Sequence, residues 1–488
     1  MNKTIKKIFR EHFFFILFCL LYFIALAYKM IFHAQPFYDW DESLYVQSGV
    51  EMFKHRYFFF PVWQGMPWLD KPPLIPFLYG LIIKIFFFIP AEISVRIFTL
   101  VVSITVLVFV YKLYLKVIKD KLLVNLTVII TALTPIFLQR TQVGNLDVFL
   151  LLGWLGYLLF FNGLVASTIF LLIAVMSKSL IGFFPIAIFG FYYLYLLLIK
   201  KVKGKEFKKN FGKLVFQIFI GMLWFLAMFF MYGKQFFYQH IIESHFRRVT
   251  SSIEFHFGTR TFYLELALQQ FGLYVLAATG GLIYIIIGFF RKKIKEDKIL
   301  YAIYLLPWFL FLNLTKTKIF WYLYPAIPQI AFLAVYPINL LKKNRLIYLG
   351  IFLFVLINIL YTAVFTNKLF QTYYAKYEDY YYLSLYAKKE CNQLFVLLNP
   401  QKRTDFETLD KLGLLITTTK WWGEHPSMVY YFGKKIDFLY DRNIALLSLF
   451  TMKKNQCLTI EKEDLSLEPE SKLTFQKQFG KYYLYRKN

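Results

Sequence analysis

The sequence predicts a mainly α, polytopic membrane protein with a small α/β domain after its last apolar span, and three observations predict it. Of the 488 residues, 58% are hydrophobic and 21% aromatic, more apolar surface than a soluble core of this length buries. Apolar runs of roughly 17 to 25 residues, the length that crosses ~30 Å of hydrocarbon, recur from residue 13 to residue 366. Lys and Arg gather in short clusters between those runs.

About eleven spans are legible, with a range of 11–13: residues 13–32, 92–116, 122–138, 147–161, 164–177, 180–199, 214–232, 264–290, 299–314, 318–340 and 346–366. The basic clusters are Lys3 to Arg10, Lys112 to Lys121, Lys200 to Lys213, Arg291 to Lys298 and Lys342 to Arg345. With eleven spans all of them fall on one side, which the positive-inside rule makes cytoplasmic. The first run carries an Ala25-Leu26-Ala27 sequence that suits a signal-peptide cleavage site. It continues to Phe32, however, and is expected to remain as an uncleaved helix.

Between the first two spans, residues 33–91 mix Trp, Tyr, Pro and charge and read as interfacial helices in an external loop. Leu74 to Ile89 is expected to lie in the interface plane, because a crossing there would put every later basic cluster outside. From about residue 367 the chain turns polar, with β-like runs at 393–398, 412–417, 428–432, 456–460 and 481–485 and a helical pattern at 380–389. The expected division is therefore a membrane domain, 1–366, and an exoplasmic α/β domain, 367–488. Cys391 and Cys457 both fall in the tail, either as a disulfide or as two buried thiols. The net charge of +27 sits in short loops beside apolar spans. Contact with anionic lipid headgroups accounts for it, and nucleic acid is not an expected partner.

Asp39, Asp41 and Glu42 place three carboxylates within four residues just after the first span. They either cap an interfacial helix or disfavour each other's ionisation and tune one carboxylate for proton abstraction. Asp70-Lys71-Pro72-Pro73 sets an acid and a base at a Pro-restricted turn. Asn145 and Asp147, Lys178, His245 with Arg247 and Arg248, and Lys316 with Lys318 follow. The lysines either snorkel or, collected on the cation-poor external side, suit an anionic lipid-linked substrate, since charge-assisted bonds to phosphate are strong.

In their order these residues resemble the GT-C glycosyltransferases, in the branch of the protein O-mannosyltransferases and the lipid A aminoarabinose transferase. Asp41-Glu42 followed by Tyr45 is similar to that family's first acidic motif, Asp70 to Leu74 to its (E/D)KPPL turn, and Asn145-Leu146-Asp147 to its second acidic position. SKSLIGFFP (Ser177 to Pro185) resembles its KGP-type segment, ESHFRR (Glu243 to Arg248) its EHxxR loop, and Thr315 to Leu333 its K-x-x-x-Y-x-x-P-x-x-P segment; the tail's HPSMVYYFGKKIDFLYD also looks familiar. The chain departs from the aminoarabinose-transferase pattern at Leu44, where that pattern has Arg, and at Lys178-Ser179-Leu180.

The resemblance implies an inverting transfer of a sugar from a polyprenyl-phosphate donor to an acceptor hydroxyl on a glycolipid, glycan or protein. Of its catalytic carboxylates, Asp41 would be the base that accepts the acceptor's proton and Glu42 and Asp147 would tune or orient it, with Lys71, Arg248 and Lys178 as donor-phosphate ligands. Tyr45, Tyr322 and Lys318 would line the donor cavity. Asp70 and His245 would hold a structural divalent metal (Zn, Mg or Mn), and no further cofactor is implied. The expected location is a bacterial inner (cytoplasmic) membrane, with a cytoplasmic N-terminus and an external tail. A transporter or flippase of lipid-linked saccharides is the alternative from another class, although no inverted repeat supports it. A non-catalytic anchor for the tail would leave the charged loops without a role.

Overall fold

The computed structural model describes residues 11–253, 256–366, 377–398, 408–409, 411–412, 415–416, 425–440, 442–461 and 473–488. The chain is mainly helical, and each of the eleven apolar runs lies in helix. Six helical stretches are long and apolar enough to cross a bilayer, or up to nine when each of three bent pairs is one span. The eleven expected differ from this count at two places.

One is Asp147–Leu159, whose 13 residues extend only about 20 Å at 1.5 Å per residue. The other is the 35-residue stretch Leu164–Leu198, which is broken by a 3₁₀ turn at Ser179–Phe183. A Cβ on Gly182 would lie 2.4 Å from the backbone of Val175, which a continuous helix would hold about 10 Å away. The chain therefore turns back here, and only glycine fits the contact. The stretch Gly204–Thr250 reverses as well. It breaks at Gly233, so that the His240 ring packs 5.3 Å from that of Trp224.

The segment after the first helix holds two helices, Asp41–His55 and Leu74–Ile85, joined through a two-stranded hairpin of Val62–Trp63 and Met66–Pro67. Leu74–Ile85 has 12 residues, about 18 Å of helix and too short to span ~30 Å of hydrocarbon. The two helices cross at Gly49 and Gly80, where a Cβ on Gly80 would meet the Gly49 carbonyl at 2.4 Å. This close crossing fixes where Asp41 and the turn at Asp70-Lys71 stand relative to each other.

The tail is built on a five-stranded sheet whose spatial order is Ile436–Leu439, Gln393–Leu397, Gln456–Glu461, Tyr482–Lys487 and Leu473–Phe479. The first three strands are parallel and the last two antiparallel. Helix Asp379–Glu390 matches the expected helical pattern, and Cys391 and Cys457 form a disulfide. Two β-like runs turn out otherwise. Leu415–Ile416 pairs with Ser252–Ile253 rather than joining the sheet. The run at 428–432 is helical, within Pro426–Phe432. Pro426 starts that helix with a preset φ, Gly433 ends it in a left-handed conformation, and these terminators override the β preference of Val429, Tyr430 and Tyr431.

Candidate active site

Asp39, Asp41 and Glu42 point to three different places. Asp39 turns to the tail, accepting from Ser427 N (3.0 Å), Ser427 Oγ (2.7 Å) and His425 Nδ1 (2.8 Å). Glu42 turns into the helical core. Arg96 donates to both its oxygens, at 3.0 and 2.8 Å, and the backbone N–H groups of Gly144 and Tyr38 at 2.7 Å each complete its shell. Asp41, the first residue of its helix, lines a cavity of about 1160 Å³.

Trp40, immediately before Asp41, has φ 78° and ψ −126°, a conformation that costs a non-glycine residue on the order of 1–3 kcal/mol. Ser179, at the second turn into the cavity, has φ 61°. Both strained residues line the cavity, so the surrounding structure over-determines the backbone at the two places where it turns into this space.

The same cavity is lined by Tyr45, Asp70, Lys71, Asp147, Lys178, His245, Arg248 and Tyr322. Asp147 is buried and paired twice, with Lys178 Nζ and with Arg140 Nη2 at 3.2 Å. Tyr322 joins two of the cations: Arg248 Nη1 donates to its hydroxyl at 2.9 Å, and Lys178 Nζ stands 4.7 Å over its ring. Arg140 lies 5.1 Å over the Trp321 ring. Burial, reinforced by the nearby Arg248 guanidinium, pushes the Lys71 ammonium down to about 7, against the opposing pull of Asp70 and Asp41. The cavity is thus lined by four cations, Lys71, Arg140, Lys178 and Arg248, together with the carboxylates of Asp41, Asp70 and Asp147.

Much of the remaining lining is apolar. Phe184, Ala187, Ile188 and Phe191, spaced i, i+3, i+4 and i+7 on the helix Phe184–Leu198, share one helix face and line the cavity, as do Trp308 and Phe311.

Two residues expected at the site lie elsewhere. Glu42 is buried in its pair with Arg96 and does not line the cavity. Lys318 also stands outside the lining: its ammonium donates to the Leu312 and Asn313 carbonyls at 3.0 and 3.2 Å, at the end of the helix Leu306–Leu314. Asp70 and His245 both line the cavity, the buried His245 Nδ1 makes no hydrogen bond among the described residues, and these two side chains alone are too few ligands to fit a structural metal. His245 Nε2 is taken by the Ser179 hydroxyl at 2.7 Å and the Leu180 N–H at 3.2 Å. Among the described residues no three His, Cys, Asp or Glu side chains are placed to hold an ion, and structural metal sites need about four ligands.

Sequence reading assigns no role to Arg96, Arg140 and His240, and it marks Ser179 and His425 only as members of longer segments. Arg96 and Arg140 had a signal, since an ionisable residue inside an apolar span is functional or paired by default. His240, whose Nε2 lies 2.7 Å from Ser179 Oγ, had none.

Short helices and a hairpin after the first span, helices that reverse around a charged cavity, and a sheet at the tail together make a fold that this chain shares with solved structures. The chain is similar to ArnT from Cupriavidus metallidurans, solved bound to undecaprenyl phosphate, with a TM-score of 0.69 and 13% identity over 97% of this chain and 98% of that one. It is also similar to the Archaeoglobus fulgidus oligosaccharyltransferase, solved with Zn and sulfate, with a TM-score of 0.59 and 12% identity over 91% of this chain and 67% of that one. At these identities the likeness is one of fold. An uncharacterized protein of Aquifex aeolicus (strain VF5) is 26% identical over 329 residues, which span 64% of this chain and 60% of that protein. No family model matches the sequence.

Proposed function

We propose that this integral membrane protein is an inverting glycosyltransferase that moves a sugar from a polyprenyl-phosphate donor to the hydroxyl of an acceptor. The observation that carries this reading is the cavity itself, whose wall combines the Asp41 carboxylate, four cations and a set of apolar side chains. ArnT, of the same fold, was solved with undecaprenyl phosphate bound.

Each part has a chemical task. The groove between Phe184–Leu198 and Leu306–Leu314 takes the isoprenoid tail, and Lys71, Lys178 and Arg248 hold the phosphate. No ion pair or hydrogen bond occupies the Asp41 carboxylate among the described residues, so it is the group free to accept a proton. The acceptor oxygen attacks the anomeric carbon opposite the phosphate while its proton passes to Asp41. The glycosidic C–O bond breaks with its electron pair going to the phosphate oxygen, where Lys71, Lys178 and Arg248 stabilise the charge. Asp147, neutralised by Lys178 and Arg140, orients Lys178 rather than acting as a base, and no step is assigned to a metal at Asp70 and His245.

In this reading residues 1–366 form the catalytic membrane domain and 367–488 the exoplasmic one. The basic loops face the cytoplasm of a bacterial inner membrane, and the site opens on the other side. The test is transfer of labelled sugar by the protein in liposomes containing polyprenyl-phosphate sugars. Asp41→Asn is expected to abolish transfer and to keep polyprenyl-phosphate binding. Wild-type transfer by that variant overturns the assignment, and movement of the lipid-linked sugar across the bilayer without glycosidic bond formation would make the protein a transporter.

A further inference from the structure

We infer that the tail's helix Pro426–Phe432, with His425 before it, is a positioning element for Asp41. The inference rests on the reading of Asp41 as the base, and it assigns a task to Asp39, Ser427 and His425.

Residues 35–42 are held from two sides. From the membrane domain, Arg96 donates to the carbonyls of Gln35 (2.7 Å) and Pro36 (2.8 Å) and to the Glu42 carboxylate. From the tail, the Tyr431 hydroxyl accepts from Phe37 N at 2.7 Å and donates to Glu92 at 2.8 Å. Ser427 and His425 donate to Asp39. His425 is itself braced by the Tyr380 ring at 5.2 Å and by the Tyr482 hydroxyl at 3.4 Å. Between these holds stands Trp40, in its strained conformation, and then Asp41.

A left-handed tryptophan relaxes unless both flanks are fixed. Relaxation would rotate the start of the helix Asp41–His55 and carry the Asp41 carboxylate away from its place in the cavity. Because the holds at Asp39 come from a segment almost 400 residues away in sequence, the tail acts on the site without lining it. Its described residues are absent from the cavity wall. Positioning residues of this kind change turnover more than binding, since the phosphate ligands Lys71, Lys178 and Arg248 stand on other segments.

The test uses the full-length protein in liposomes, measuring kcat, the acceptor KM and the Kd for undecaprenyl phosphate. Asp39→Ala is expected to lower kcat about 10- to 100-fold, the range for an ångström-scale misplacement, with the Kd unchanged within twofold. His425→Ala is expected to lower kcat less, and His425→Asn, whose amide N–H can replace Nδ1, to recover most of that loss. If Asp39→Ala does not fold, the two His425 variants decide. Turnover within twofold of wild type in folded Asp39→Ala or His425→Ala overturns the inference, as does a parallel loss of kcat and binding. Asp41→Asn run alongside separates the two claims: its full activity would refute the base assignment, whereas an inactive Asp41→Asn beside an active Asp39→Ala would refute only the positioning role.

Discussion

Glu42 and Arg96 form an ion pair 2.8 Å apart in which each side chain is 1% exposed, although Glu42 adjoins the carboxylate that faces the cavity. Its four donors leave it no capacity for proton transfer, and they tie the start of the helix Asp41–His55 to the helix Ala91–Leu115. Removing one partner of such a pair strands the other charge, at a cost of about 3–5 kcal/mol. Glu42→Ala is therefore expected to lower the melting temperature of the detergent-solubilised protein sharply, with transfer lost in proportion to the folded fraction. Asp41→Asn is expected to keep its melting temperature and lose transfer. Equal stability of Glu42→Ala and wild type would refute the structural role of the pair.

Lys71 supplies a pH dependence. Its pKa is lowered to about 7 by burial, so the ammonium is present below that pH and is lost as pH rises through it. A phosphodiester donor carries one negative charge throughout this range and favours the protonated lysine. Donor affinity is thus expected to fall from pH 6 to pH 9, by up to tenfold per unit above about 7. Lys71→Arg, whose guanidinium stays charged, is expected to flatten the profile. Binding curves measured across this range check it, and identical slopes for the two proteins would exclude Lys71 as the titrating group.

Much of this was legible in the sequence because it is written in local pattern. Apolar run length disclosed the helices, and clusters such as Asp70-Lys71-Pro72-Pro73 marked residues that line one cavity. The pairings were not legible, because partners lie far apart along the chain: Asp39 with Ser427, Glu42 with Arg96, Asp147 with Lys178. Spacing alone makes Asp39, Asp41 and Glu42 equivalent, and only the helices packed around them assign each a different direction. Lys318 misled for a related reason. A lysine near a span end reads as a phosphate ligand or a snorkelling residue, and here it donates to the carbonyls at a helix end.

Tyr322 couples two of the proposed phosphate ligands. Its hydroxyl accepts from Arg248 at 2.9 Å, and its ring lies under the Lys178 ammonium. Tyr322→Phe keeps the ring and removes the acceptor, so Arg248 loses one charge-assisted bond, worth about 1.5 kcal/mol. A roughly tenfold weaker undecaprenyl-phosphate affinity is expected, with Tyr322→Leu weaker still because the cation–π contact goes as well. Isothermal titration of the two variants checks the order, and equal affinities would show that Tyr322 does not organise these cations.

The apolar lining of the cavity makes a prediction that separates the donor's tail from its head. Ala187 is the small residue in the Phe184, Ala187, Ile188, Phe191 face that lines the cavity, whose wall also holds Trp308 and Phe311. Ala187→Trp fills cavity space at that face without replacing a charged residue. Each buried methylene excluded from the groove costs about 0.8 kcal/mol, so displacing two of them raises the KM for a long-chain donor by about tenfold. A donor carrying a single short isoprenoid does not reach the obstruction and should keep its KM and kcat. Steady-state kinetics with the two donors decide the matter. A KM increase of the same size for both would place the tail elsewhere, and no increase for either would mean that the groove is not used.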